Sequence, residues 1–233
     1  MKMKKILVIS LLAVFGVYLA EALFQLDFGR QFFQQGVKDF YLVTTPTKLQ
    51  VANVVTAIVV NFRGFDTLGE VTVLFLATTA MASVLYKGRH QLGERAVLFS
   101  GSRIVTTGSQ LLFPAIILLG AYVFIHGHLT PGGGFQGGVI IATGFLLMLM
   151  AYADYSVSHI ALSVVESLAG ITFATIGLFG MVYGGSFLAD FLPNGTLNNL
   201  LSGGVIPIIY IAVGFKVGAE LTGLIYTALN EKD

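Results

Sequence analysis

Glu166, Lys216 and Glu220 interrupt long apolar runs of the chain. An ionisable side chain surrounded by hydrocarbon is costly, so each asks for a chemical reason. Glu166 lies about ten residues into its run, roughly 15 Å deep at 1.5 Å per residue. Lys216 lies about twelve residues from the matching end of the next run, roughly 18 Å deep by the same rise. Consecutive runs are antiparallel, so Glu166 can meet Lys216 at mid-depth. Glu220 shares a helical face with Lys216 at i, i+4. Two chemistries suit such a trio. One is a charged relay that guides protons or Na⁺. The other is a static ion pair that keeps costly charges satisfied and locks two helices together.

The segment NFRGFDTLGE holds a second set, Arg63, Asp66 and Glu70. Thr67 and Glu70 have the spacing of a capping box, in which each side chain satisfies an amide at the start of a helix. Arg63 can pair with Asp66 in the turn before it. Alternatively, Glu70 receives cations at the membrane face, with Asp66 beside it. His126 and His128 would point to one side of a strand-like segment, as a metal pair does. No carboxylate or third histidine is near in sequence, so hydrogen bonding or proton exchange at the membrane edge fits better. His159 and Asp154 read as solvated residues of a turn.

The two histidines open HGHLTPGGGFQGG, in which Gly132, Gly134 and Gly137 match G-x-G-x-x-G. A dinucleotide turn needs a strand before it and a helix after it within a βαβ unit. Here apolar runs flank the motif, and Asp154 falls a membrane-width away. The segment instead predicts an irregular connection at the membrane edge. Gly132, Gly133, Gly134, Gly137 and Gly138 would let the backbone turn sharply and approach other chains, with Pro131 stiffening the start. Gln136, Thr130 and the histidines are its polar contacts with ions, water or a partner.

The elements that must position these groups follow from composition. Of 233 residues, 55% are hydrophobic and 11% charged, and mean hydropathy is +0.84. Soluble domains carry about a quarter charged residues. The chain therefore reads as an all-α polytopic membrane protein. About six spans are expected, at residues 6–24, 67–86, 104–125, 138–152, 157–183 and 203–228. A short interfacial helix is expected over 51–62, where Val51, Val54, Val55, Ile58, Val59 and Phe62 make one stripe. Pro114 and Pro207 predict kinks, and glycines in the last two spans, including Gly203 and Gly204, predict close packing. Lys2, Lys4, Lys5, Lys87, Arg89, Arg95, Arg103 and Lys232 fall on one side, which places both termini in the cytoplasm. Arg30, Lys38, Lys48 and Arg63 oppose this bias. Three parts are expected: a two-span unit 1–88, a basic cytoplasmic linker 89–103 and a four-span unit 104–233.

A net charge of +1 offers no field for nucleic acid. Cysteine is absent, which removes thiolate metal sites and cysteine-ligated clusters from this chain.

HGHLTPGGGFQGG and the apolar run after it resemble the signature of the B subunit of Mrp-type multisubunit Na⁺/H⁺ antiporters, over residues 102–229. NFRGFDTLGEVTVLFLA resembles the C-terminal part of the Mrp A subunit. The same modules occur as separate small subunits in archaeal membrane-bound hydrogenases and their sulfur-reducing relatives. The resemblance implies a non-catalytic helical subunit, multi-pass in the cell membrane, that helps exchange Na⁺ for H⁺ or bridges its neighbours structurally. It implies other membrane subunits and lipid as partners, no cofactor here, and iron–sulfur clusters only in partner subunits of a respiratory complex.

Overall fold

The computed structural model describes residues 2–25, 36–92 and 101–230. Arg30, Arg95 and Lys232 of the sidedness argument, and residues 93–100 of the expected linker, lie outside these. Two compact units are present, Met1–Phe40 and Tyr41–Asp233. The first carries α1 (Lys2–Gln25), where the first span was expected. Its 24 residues extend about 36 Å.

Among its described residues the second unit holds helices and their connecting turns and no strand. α2 (Val37–Thr44) leads into it and continues as a π-helical turn, Thr45–Leu49. α3 (Val54–Ala57) continues likewise over Ile58–Phe62, and α4 (Gly64–Leu92) follows. α5 (Arg103–Ile125), α6 (Gly134–Ala151), α7 (His159–Gly184) and α8 (Ile206–Asn230) complete it. Five described helices are long and apolar enough to cross a membrane, and up to six if the bent pair around residue 50 counts as one. The chain is a multi-pass membrane protein.

The predicted interfacial helix differs in form. Arms Val37–Leu49 and Val54–Phe62 meet at 90°. Gln50 turns the corner in the left-handed region, φ 56°, and Asn53 caps α3 by accepting from the Thr56 amide. Val51 is therefore outside the helix. The buried face is Thr56, Ala57 and Val60, while Val55 of the expected stripe is 66% exposed. The apolar periodicity misleads because a polar hydroxyl, Thr56, makes the tightest contact.

Other boundaries move for local reasons. α6 starts at Gly134, four residues before the expected 138. α7 starts after Ser158, whose hydroxyl accepts from the Ala161 amide. Gly203 and Gly204 precede α8 in left-handed conformations, φ 84° and 55°, so they turn the chain and do not pack helices. Pro207 falls in the first turn of α8, where a missing amide proton costs nothing, and so it starts the helix without kinking its interior.

α8 is the hub. It packs against α4, α5, α6 and α7 and buries Ile206, Ile209, Val213, Val217 and Ala219. α6 fits between α5 and α8 along a seam of glycines. A Cβ on Gly137 would lie 2.7 Å from the Gly120 carbonyl oxygen, and one on Gly138 would lie 2.7 Å from that of Gly214.

Candidate functional site: a charged trio in the helix bundle

α7 and α8 run antiparallel. The ring of His159, at the start of α7, meets that of Tyr226, near the end of α8, edge-on at 4.9 Å. That register brings Glu166 of α7 to the level of Lys216 of α8. Lys216 Nζ donates to Glu220 Oε1 at 2.5 Å and to Glu166 Oε1 at 3.5 Å. The side chains of Lys216, Glu166 and Glu220 are 12%, 25% and 1% exposed. On its third side the ammonium sits 5.3 Å from the centre of the Phe75 ring on α4, within reach of a cation–π attraction.

Two carboxylates thus share one ammonium, so the ionised trio carries one negative charge in excess. Glu220 Oε2 is buried without a hydrogen-bond partner. Glu166 and Glu220 also line a cleft of ≈ 180 Å³ between α4, α7 and α8. An excess negative charge beside an open cleft can take up a proton or a small cation.

The remaining expected residues separate. Arg63 and Asp66 form an ion pair between exposed side chains. Thr67 and Glu70 make no capping box: α4 already starts at Gly64, and the Thr67 hydroxyl donates back to the Val59 carbonyl. Glu70 is exposed one turn further on. None of Asp66, Glu70, His126 or His128 lines the trio's cleft.

The histidine segment is a turn, not a strand, and its two rings have different settings. His126 stacks on Tyr122 with centroids 4.3 Å apart. His128 is fully buried. Burial lowers its pKa below the ordinary 6.5, with the charge of His126 acting the same way and the Asn199, Leu200 and Ile125 backbone opposing it. Among the described residues no group of three metal-ligating side chains occurs.

The glycines of 132–138 do not supply sharp turns. None lies in the left-handed region, and Gly134, Gly137 and Gly138 belong to α6. Their role is close approach: Gly134 meets the Tyr210 carbonyl, and Gly132 that of Val123. Pro131 and Gln136 are exposed. The turn itself faces its own chain. Asn53 Nδ2 donates to the Gly127 and Thr130 carbonyls at 2.9 and 3.0 Å, and Thr56 Oγ1 donates to Gly127 at 2.6 Å. The Asn53 amide donates to the His128 carbonyl at 3.0 Å.

Reading the sequence missed Asp190, in the loop before α8. Its Oδ1 accepts from the Val205 amide at 3.1 Å, and burial raises its pKa above the ordinary 3.8. Sequence reading also missed the hydroxyls beside the trio, Thr78, Thr79, Ser163 and Thr227. A signal for one of them was present, since His159, Ser163 and Glu166 are spaced i, i+4, i+7 along one face.

Residues 104–223 match the family described as a domain related to the MnhB subunit of Na⁺/H⁺ antiporters. Residues 3–96 match the family described as the E subunit of MBH. An uncharacterized protein of Methanocaldococcus jannaschii is 33% identical over 84% of this chain and 83% of its own length. The B subunit of the Na(+)/H(+) antiporter of Bacillus subtilis is 34% identical over 36% of this chain and 62% of its own. Among solved structures, a chain of the membrane-bound sulfane sulfur reductase, an archaeal respiratory membrane complex, superposes with a TM-score of 0.75. It has 45% identity, over 99% of this chain and 100% of that one. A chain of the Mrp complex from Dietzia sp. DQ12-45-1b shares the fold, with a TM-score of 0.68 and 23% identity, over 100% of this chain and 27% of that one. With its MnhB-related domain spanning more than half its length, the chain belongs to the MnhB-related family of multi-pass membrane subunits.

Proposed function

We propose that this chain is a transport subunit of an Mrp-like module, in which Glu166, Lys216 and Glu220 relay the ions of Na⁺/H⁺ exchange. The parent complex is an antiporter or an ion-pumping respiratory complex, and any redox centre sits in a partner subunit. The observation that carries this reading is the unpartnered Glu220 oxygen within a trio holding excess negative charge. A purely structural lock is a poorer account of the geometry. The short contact, Lys216 to Glu220, lies within α8, and the one that joins two helices, Lys216 to Glu166, is the longer at 3.5 Å. The match of residues 3–96 to the MBH family favours a respiratory parent as much as an exchanger.

The test is transport by the assembled complex in sealed vesicles. Glu166→Gln, Glu220→Gln and Lys216→Ala should each abolish Na⁺-dependent proton movement while the complex still purifies with all its subunits. Normal transport in Glu166→Gln and Lys216→Ala would sink the relay and leave the bridging role.

A further inference from the structure

We propose that the cleft between α4, α7 and α8 is a hydrated access route for a small monovalent cation, proton or Na⁺, and that it opens at the end of the bundle bearing the 152–158 turn. The relay reading supplies only the destination of the ion, whereas the route itself rests on the lining. On α7, His159, Ser163 and Glu166 line the cleft at i, i+4 and i+7; on α8, Glu220 and Thr227 do so at i and i+7. Seven residues rise about 10.5 Å, so α7 presents a polar ladder from the trio to the bundle end, and α8 places a polar group at each end of the same span, with Gly223 and Leu224 between. α4 contributes Thr78 and Thr79 across the gap. Thr78 Oγ1 donates to the Phe75 carbonyl at 3.0 Å, which leaves its lone pairs to accept from water or to coordinate a cation.

The titratable groups along this lining are His159 and Glu166 on α7 and Glu220 on α8, with Lys216 joined to both carboxylates; α4 lines the cleft with hydroxyl and apolar groups. Tyr226 braces the ring of His159. Beyond the trio, towards the opposite end, α7 buries Ala169 and Phe173, and the cleft is lined by no residue of α7 after Glu166 or of α8 before Glu220. The polar path is therefore one-sided. Hydroxyls and carboxylates cannot be satisfied by lipid tails, and ≈ 180 Å³ holds several waters at about 30 Å³ each. Glu166, 25% exposed, is the carboxylate such a water or cation would meet first, with the buried, partnerless Glu220 Oε2 behind it.

The chain has no cysteine, so single thiols can be read on this subunit without background. In the assembled complex, Ser163→Cys and Thr227→Cys are treated with a charged, membrane-impermeant thiol reagent from each face of the vesicle. Asp154→Cys, exposed in the 152–158 turn, marks the reference face. Ile171→Cys, exposed on α7 on the far side of the trio, is the apolar control. The expected result is labelling of positions 163 and 227 from the Asp154→Cys face alone, with position 171 inert. Labelling from the opposite face, or inert thiols at 163 and 227, overturns the route. Slower labelling at 163 in Na⁺ than in choline would assign Na⁺ to the route, and equal rates would assign protons; both keep it. Labelling with normal transport in Glu166→Gln and Lys216→Ala keeps the route and removes the relay. Inert thiols with lost transport in those variants do the reverse.

Discussion

Gly137→Ala tests whether the glycine-rich signature acts through helix packing. A Cβ at this position would stand 2.7 Å from the Gly120 carbonyl oxygen and 2.9 Å from the Phe124 ring. The backbones must part by about 0.7 Å to restore the 3.4 Å of an ordinary contact. A gap of about 0.5–1 Å forfeits a quarter to a half of the dispersion attraction between the surfaces, and overpacking costs about 1–3 kcal/mol. Against this, alanine gains up to about 1 kcal/mol over glycine in helix propensity. Gly69 and Gly108 are the controls, because a Cβ at either meets nothing within 4 Å. Thermal unfolding of the complex, followed on this subunit in one detergent, should rank Gly137→Ala below wild type. Gly69→Ala and Gly108→Ala should match or exceed wild type. If Gly137→Ala melts with Gly69→Ala, the seam does not hold α5 to α6 and the packing account of the motif is wrong.

Three further outcomes follow from the end of the bundle that carries the 126–133 turn. Asn53→Ala leaves the Thr130 carbonyl without its amide donor, at about 1–3 kcal/mol for a group left unsatisfied, while the Gly127 carbonyl keeps the Thr56 hydroxyl; hydrogen exchange at residues 126–130 should rise selectively, and unchanged exchange would refute the clasp. For His128, the folded pKa is lowered below 6.5, so the unfolded chain binds more protons just below that pH. Its contribution is therefore whole above pH 6.5 and declines as pH falls through 6.5 towards the folded value, and His128→Leu should flatten that acid limb of a stability–pH curve. Asp190 has the opposite linkage: its folded pKa is raised, so its ionisation weakens the fold as pH rises through 3.8 towards the folded value. Asp190→Asn, which can still accept from the Val205 amide, should melt at or above wild type at pH 7, and a clear loss would count against the burial argument.

The apolar runs revealed the helices, because hydropathy and length alone decide what can cross a bilayer. The Glu166–Lys216–Glu220 trio was legible for a related reason: consecutive spans are antiparallel, and depth can be counted along each. The Arg63–Asp66 pair was visible as a local spacing. Thr67 misled, since T-x-x-E gives the spacing of a cap but not where the helix starts; α4 starts earlier, at Gly64. The glycines of 132–138 misled in another way. Glycine serves both left-handed turns and close contacts, and only the neighbouring helices decide between them. Gly137 meets Gly120, 17 positions away in sequence, which no local pattern encodes. Asn53 and Thr56 reach across more than 70 positions to the Gly127 carbonyl, and their segment looked like an ordinary apolar stripe.

The clasp of Asn53 and Thr56 on the 126–130 turn joins a segment matched to one family with a domain matched to another. It consists of donors on residues 53–56 and acceptor carbonyls on 127–130, with Asn194 Nδ2 to the Lys48 carbonyl at 2.9 Å as a further tie. Such a contact does not depend on chain continuity. A gene split between residues 92 and 101 should yield two polypeptides that find each other through this face, the tether having supplied only effective concentration. Carried on one chain, the two segments are made at one copy each, and their pairing does not depend on how much of either is synthesised.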